Sequence, residues 1–201
     1  GLTDYEKMRA RMLAELGYNV FAADIYGKGI RPQPPESGKE AGKYKGDRQL
    51  FRARLHAGLE VLRSDTRTDP ERIAAIGYCF GGTGVLELAR SGAKLAGVVS
   101  FHGGLGAGTG REAKKGEVPA RVLVLHGASD PYVPLDEVQG FWNEMTAADA
   151  DWQLITYPGA VHAFTQKMAG NDPSRGAAYD AEADRRSWRD MQAFFKDLFA
   201  R

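Results

Sequence analysis

The chain has 201 residues, enough for one domain with a substantial core, and nothing in it requires two, so a single domain over residues 1–201 is expected. Its 27 lysines and arginines against 26 aspartates and glutamates leave a formal charge of +1, which gives no reason to expect nucleic acid or a membrane surface as partner and points to a small molecule. One cysteine excludes an internal disulfide and a cysteine-rich metal site, and no apolar run approaches the roughly 20 residues that a bilayer crossing needs. No signal-peptide pattern opens the sequence, but it begins at Gly1 without methionine, so an export signal could have been removed and the compartment stays open, with the cytoplasm favoured.

From Asp4 to Leu16 the apolar residues Tyr5, Met8, Met12, Leu13 and Leu16 recur at helical spacing, and Gly17 is placed to stop the helix. Tyr18 to Ile25 contains Val20-Phe21-Ala22-Ala23 and reads as a strand buried on both faces. Tyr26 to Lys45 is polar, rich in Gly, Pro and Lys, and reads as a long loop of the kind that is functional or mobile. Leu50 to Leu62 predicts a second helix, Asp69-Pro70 a turn, Arg72 to Ile76 a strand and Thr83 to Arg90 a helix. Then follow a strand over Leu95 to Phe101, a Gly-rich charged loop from His102 to Glu117, and a strand over Arg121 to His126. A helix over Leu135 to Ala147, a strand over Trp152 to Tyr157 and an amphipathic helix over Tyr179 to Phe199 complete the chain. Such alternation predicts an α/β fold, a mainly parallel sheet covered by helices on both faces.

Between the strand over Arg72 to Ile76 and the helix over Thr83 to Arg90 stands Gly77-Tyr78-Cys79-Phe80-Gly81-Gly82, where a strand must become a helix within a few residues. That forces the middle residue into a strained backbone conformation costing on the order of 1–3 kcal/mol. Gly77 and Gly81, lacking β-carbons, are expected to let strand and helix approach while Cys79 is thrust out at the tip. This is the pattern of the Gly-x-Ser-x-Gly nucleophile elbow with cysteine replacing serine. A helix N-terminus favours a thiolate, so Cys79 is a candidate nucleophile; the competing reading is a small buried hydrophobe.

A parallel α/β sheet carries its functional residues at the carboxyl ends of its strands. There the sequence offers Asp130, in His126-Gly127-Ala128-Ser129-Asp130-Pro131, and His162, in Pro158-Gly159-Ala160-Val161-His162. The order nucleophile, acid, histidine is that of α/β-hydrolases. Asp130 would fix the tautomer of His162, and His162 would take the thiol proton and return one to the leaving group. Each has an ordinary alternative, Asp130 as a turn initiator and His162 as a solvated loop residue. His102, His126 and Asp130 could instead suggest zinc, although His126 reads better as support for the acid loop and His102 as a residue lining the cleft. His56 falls in a predicted helix and reads as structural or solvent-facing. Lys28, Arg31, Lys39, Lys43 and Lys45 could attract an anionic substrate or simply be solvated, and Tyr78 and Phe80 could shape an apolar pocket or pack on the core.

Taken with Asp24-Ile25-Tyr26-Gly27-Lys28-Gly29, Ser100-Phe101-His102-Gly103 and His162-Ala163-Phe164, these motifs resemble the dienelactone hydrolase family of α/β-hydrolases over most of the chain. The resemblance implies hydrolysis of a small lactone or ester without cofactor or metal, through a triad of Cys79, Asp130 and His162 and a thioester. It also implies an oxyanion hole, of which the backbone N–H of Phe80 is the donor present here. In that family further strands precede the first helix, so the sequence reads as N-terminally truncated, lacking the first strands, a second oxyanion donor and an acidic residue that holds the resting nucleophile. Substrate contacts and oligomeric state are not legible. The alternative function is a non-catalytic α/β-hydrolase relative that binds a ligand or a protein partner, and a third role, oxidation of Cys79 by peroxide, lacks a resolving cysteine in the chain.

Overall fold

The computed structural model describes residues 1–33, 35–108 and 111–200. The backbone falls into two compact units, Gly1–Pro70 and Glu71–Arg201.

The first unit is helical. Helix α1 (Asp4–Glu15) begins with a capping box in which Thr3 and Glu6 satisfy each other's orphan amides, and Gly17 takes φ 91° just past its end. The segment 18–25, expected as a doubly buried strand, forms no strand. Its residues alternate between half-buried and exposed, with Phe21 43% exposed, so the backbone keeps the period of two without a ladder of hydrogen bonds to a neighbour. An apolar run specifies extension, but a strand needs a paired edge. The stretch expected as a loop to Lys45 contains helix α2 (Glu36–Gly46), followed by α3 (Arg48–Arg63), which Asp47 caps through the amide of Leu50. Helix α2 carries three glycines, so packing must hold it: Tyr44 stacks on Tyr26 at 5.5 Å and tilts against the fully buried Phe51 at 6.0 Å.

The second unit is an open parallel sheet of β1 (Ala74–Tyr78), β2 (Gly97–Phe101), β3 (Arg121–Gly127) and β4 (Trp152–Tyr157), in that spatial order. The connections carry α4 (Phe80–Arg90) between β1 and β2, and α5 (Leu135–Ala147) between β3 and β4; α6 (Ala181–Phe199) follows β4. Central strand β2 is buried throughout, as is nearly all of β3. On β2 a β-carbon at Gly97 would touch Leu198 of α6, whereas the Ser100 hydroxyl lies where a β-carbon on Gly82 of α4 would have to go. Positions 97 and 100 point to opposite faces of a strand, so helices cover both faces of β2, the layering that continuous apolar strands predict. Register aligns Tyr78 with Phe101 and Phe101 with Leu125, so the carboxyl ends of β1 and β2 finish level and β3 runs two residues further. The residues with chemistry follow there.

Candidate active site

Cys79 is the single residue between β1 and α4, and its backbone is at φ 51° and ψ −113°. For a side chain with a β-carbon this is a strained conformation, which persists only where the surroundings fix it. They do so through close backbone approach: a β-carbon on Gly77 would fall on the carbonyl of Gly81, and one on Gly103 would lie 2.7 Å from the Thr83 nitrogen. The expectation for Gly81 is corrected here, since a β-carbon there meets nothing within 4 Å. The tight packing is carried by Gly77, Gly82 and Gly103 instead. The Cys79 N–H donates to the Phe101 carbonyl at 3.0 Å, which ties the elbow to β2, and its side chain is half-buried. Phe80 supplies the first amide of α4, at the positive end of the helix dipole.

Asp130 follows β3 in a turn closed by its own N–H on the Gly127 carbonyl at 3.0 Å. One carboxylate oxygen accepts the Tyr132 N–H at 2.9 Å, and the other lies 2.8 Å from Nδ1 of His162. The carboxylate is completely buried. His162 follows β4 and is held by backbone bonds on both sides, its N–H to Gly176 at 3.2 Å and its carbonyl from Ala178 at 3.0 Å. Its Nε2 stands 3.1 Å from Sγ of Cys79. The three side chains therefore form one line of contact, from buried acid through imidazole to sulfur. Burial pulls the His162 imidazolium down, but the hydrogen bonds to Asp130 and Cys79 outweigh it and lift the pKa to about 9. Tyr132 stands edge-on to the imidazole at 5.4 Å.

The remaining histidines separate. His102, expected to line the cleft, is 1% exposed and sits just past β2 at φ 39°. Its Nδ1 accepts the Cys79 N–H at 3.2 Å, and its Nε2 is 2.7 Å from the Thr165 hydroxyl. His126 is also buried, and burial pushes its imidazolium below the ordinary value. With both nitrogens of His102 and both oxygens of Asp130 engaged by these partners, neither is turned toward a shared ion with His126; among the described residues no group of three His, Cys, Asp or Glu side chains is placed to hold a metal. Of the basic residues considered for an anionic substrate, Arg31 pairs with Asp24 at 2.7 Å, Lys43 with Glu40 at 2.5 Å and Lys39 with Glu36 at 3.9 Å. Tyr78 stacks on Phe101 at 4.5 Å, the packing alternative for that residue.

Two groups escape a reading of the sequence by motif. Thr165 is a buried hydroxyl in an unremarked loop, three residues beyond His162. Glu137, in the first turn of α5, accepts the amides of Leu105 and Gly106 at 2.5 and 3.0 Å and so fixes the start of the loop after β2. An acid in the first turn of a helix is ordinary, and only the fold gives it this partner.

A sequence model of the dienelactone hydrolase family matches residues 1–199. A protein of Caenorhabditis elegans without an assigned role is 36% identical over 158 residues, covering 75% of this chain and 95% of its own. A Yersinia pestis protein that carries the provisional name carboxymethylenebutenolidase is 30% identical, covering 97% of this chain and 73% of its own. Among solved structures, the dienelactone hydrolase-like promiscuous phosphotriesterase P91 from metagenomic libraries superposes with a TM-score of 0.91 at 41% identity, over 98% of this chain and 82% of its own.

Proposed function

Since the chain belongs to the dienelactone hydrolase family, a family of α/β-hydrolases, we propose that it cleaves small esters or lactones with Cys79 as nucleophile, His162 as acid and base, and Asp130 as the group that orients His162. The observation that carries this reading is the unbroken contact from Asp130 Oδ2 through the imidazole to the sulfur, 2.8 and 3.1 Å long. An imidazolium beside sulfur favours the thiolate, the form that attacks.

In the proposed reaction the thiolate adds to the ester carbonyl carbon, and the resulting oxyanion is met by the N–H of Phe80 at the head of α4. Collapse of the tetrahedral intermediate breaks the bond to the alkoxy oxygen, which leaves with the Nε2 proton of His162, and a thioester remains on Cys79. Neutral His162 then takes a proton from water, hydroxide adds to the thioester, and the thiolate is expelled. The products are one carboxylic acid and one alcohol, or for a lactone one hydroxy acid. Asp130 keeps Nδ1 protonated throughout, so Nε2 always faces the sulfur.

A nitrophenyl ester assay tests this directly. Cys79→Ala and iodoacetamide treatment are each expected to lower turnover by about 10³-fold or more, and brief mixing with substrate should leave an acyl mass on Cys79. Undiminished turnover by Cys79→Ala would falsify the reading. The likeness to the promiscuous phosphotriesterase P91 supports including a phosphotriester in the same assay, as a second substrate class for the same thiolate.

A further inference from the structure

We propose that His102 is a positioning residue, a fixed neutral strut that sets the distance between the nucleophile and its base; this rests on the hydrolase reading above. The ring lies between the two parts that must meet. On one side its Nδ1 accepts the backbone N–H of Cys79 at 3.2 Å, sharing that N–H with the Phe101 carbonyl at 3.0 Å, and on the other its Nε2 reaches the hydroxyl of Thr165 at 2.7 Å. Thr165 stands three residues after His162, on the loop that brings the base to the sulfur. Cys79 and the histidine loop are thus joined twice, once through the Sγ to Nε2 contact and once through His102, and the four groups close a ring.

The donors and acceptors fix the tautomer. Nδ1 faces an N–H and must present its lone pair, so the proton of the neutral ring is on Nε2, where the Thr165 oxygen accepts it. A protonated ring would set N–H against N–H at the elbow and add a cation with its centroid 5.5 Å from that of His162. The ring is kept in place on its remaining sides by Phe164, edge-on at 5.0 Å, and by its own backbone N–H on the Leu125 carbonyl at 2.9 Å. No aliphatic side chain offers an acceptor and a donor at opposite ends of a rigid plane.

Backbone strain gives the same location independently. Of the four described non-glycine residues with positive φ, three are Cys79 at 51°, His102 at 39° and Ala163 at 57°, which are the nucleophile, the strut and the neighbour of the base. Strain of this kind costs on the order of 1–3 kcal/mol per residue and survives where neighbours over-determine the conformation. Here the hydrogen bonds of His102 reach Cys79 directly and, through Thr165, the loop that carries Ala163.

The test uses Thr165→Val, which keeps the shape and removes the hydroxyl, Thr165→Ser, which restores it, and His102→Phe, which keeps a ring without nitrogens. Each is measured for kcat and KM on a nitrophenyl ester, for the ultraviolet absorbance of the thiolate against pH, and for the rate of alkylation by iodoacetamide. A base displaced by a fraction of an ångström to 1 Å lowers rate by up to about 10²-fold, so Thr165→Val is expected to lose about tenfold in kcat with KM within about twofold, and His102→Phe more. The thiolate titration should move to higher pH in both, alkylation at neutral pH should slow, and Thr165→Ser should return toward the parent. A folded Thr165→Val with the parent's kcat and thiolate titration overturns the strut, even if His102→Phe fails to fold. The outcomes remain distinguishable: turnover that survives Cys79→Ala removes the hydrolase reading, whereas Cys79-dependent turnover indifferent to Thr165→Val removes only the strut.

Discussion

Two buried clusters of opposite charge occupy the Glu71–Arg201 unit, and they differ in how they end. Around Arg90 on α4 the guanidinium meets Glu144 of α5 at 2.9 and 2.7 Å, Glu87 one turn back at 3.2 Å, and the Leu105 carbonyl at 2.6 Å. The Ala113 amide donates to Glu144 at 2.9 Å, and all three charged side chains are at most 3% exposed. That cluster is closed by protein partners and ties two helices to Leu105 and Ala113 of the loop after β2. The line from Asp130 to Cys79 begins just as deep but finishes on a half-buried sulfur. Charges saturated by protein hold a shape, and a chain of them with one open end has somewhere to send a proton.

Matched substitutions break the comparison if it is wrong. In Asp130→Asn the acceptor facing Nδ1 is replaced by a group that can donate, which favours the wrong tautomer of His162, and kcat is expected to fall by about 10⁴-fold with a small change in melting temperature. Arg90→Met leaves two buried carboxylates without their cation, and the expected loss is about 3–5 kcal/mol of stability in urea unfolding, with kcat per folded molecule close to the parent. If Arg90→Met instead loses rate at full stability, the clamp belongs to the chemistry.

Acidity sharpens the same contrast. The folded pKa of His162 is raised from the ordinary 6.5 to about 9: burial lowers it, and the bonds to Asp130 and Cys79 more than compensate. A raised pKa means that the folded state binds the proton more tightly than the unfolded chain does. The resulting stabilisation is complete below about pH 6.5 and disappears as pH rises through about 9. Compared with His162→Gln, which lacks a titrating ring, the parent should therefore show its largest stability advantage in mild acid and lose it across pH 6.5 to 9. An advantage that grew with pH in that window would mean that the imidazole is held neutral.

The candidate site was legible in the sequence because each proposed member is announced by its neighbours in the chain: glycines around Cys79, a turn at Asp130-Pro131, and the end of an apolar run before His162. The five elements from β2 to α6 are likewise given by local periodicity, to within a few residues at their ends. What failed depends on partners distant in sequence. Residues 18–25 have the composition of a strand and no ladder, while α2 has a loop's composition and is held by Tyr26 and Phe51 from outside it. The link from His102 to Thr165 spans 63 residues and leaves no pattern in either segment.

The smallest expected effect concerns the glycines of the elbow, where the pattern Gly77-x-Cys79-x-Gly81 suggests equal roles and the geometry divides them. At Gly77 an added β-carbon collides with the Gly81 carbonyl, a backbone atom of the first turn of α4 that cannot swing aside. Gly77→Ala must therefore shift the strand against the helix, and overpacking of this sort costs about 1–3 kcal/mol or more. At Gly81 the same methyl meets nothing within 4 Å, inside a helix and without positive φ. Glycine in a helix interior is less stable than alanine by roughly 0.5–1 kcal/mol, and Gly81 stands in the first turn, so Gly81→Ala is expected to gain at most about that much in urea unfolding. A loss instead would mean that the helix start must flex, and the elbow would then belong with the open cluster, where position serves the reaction, rather than with the closed one, where it serves the fold.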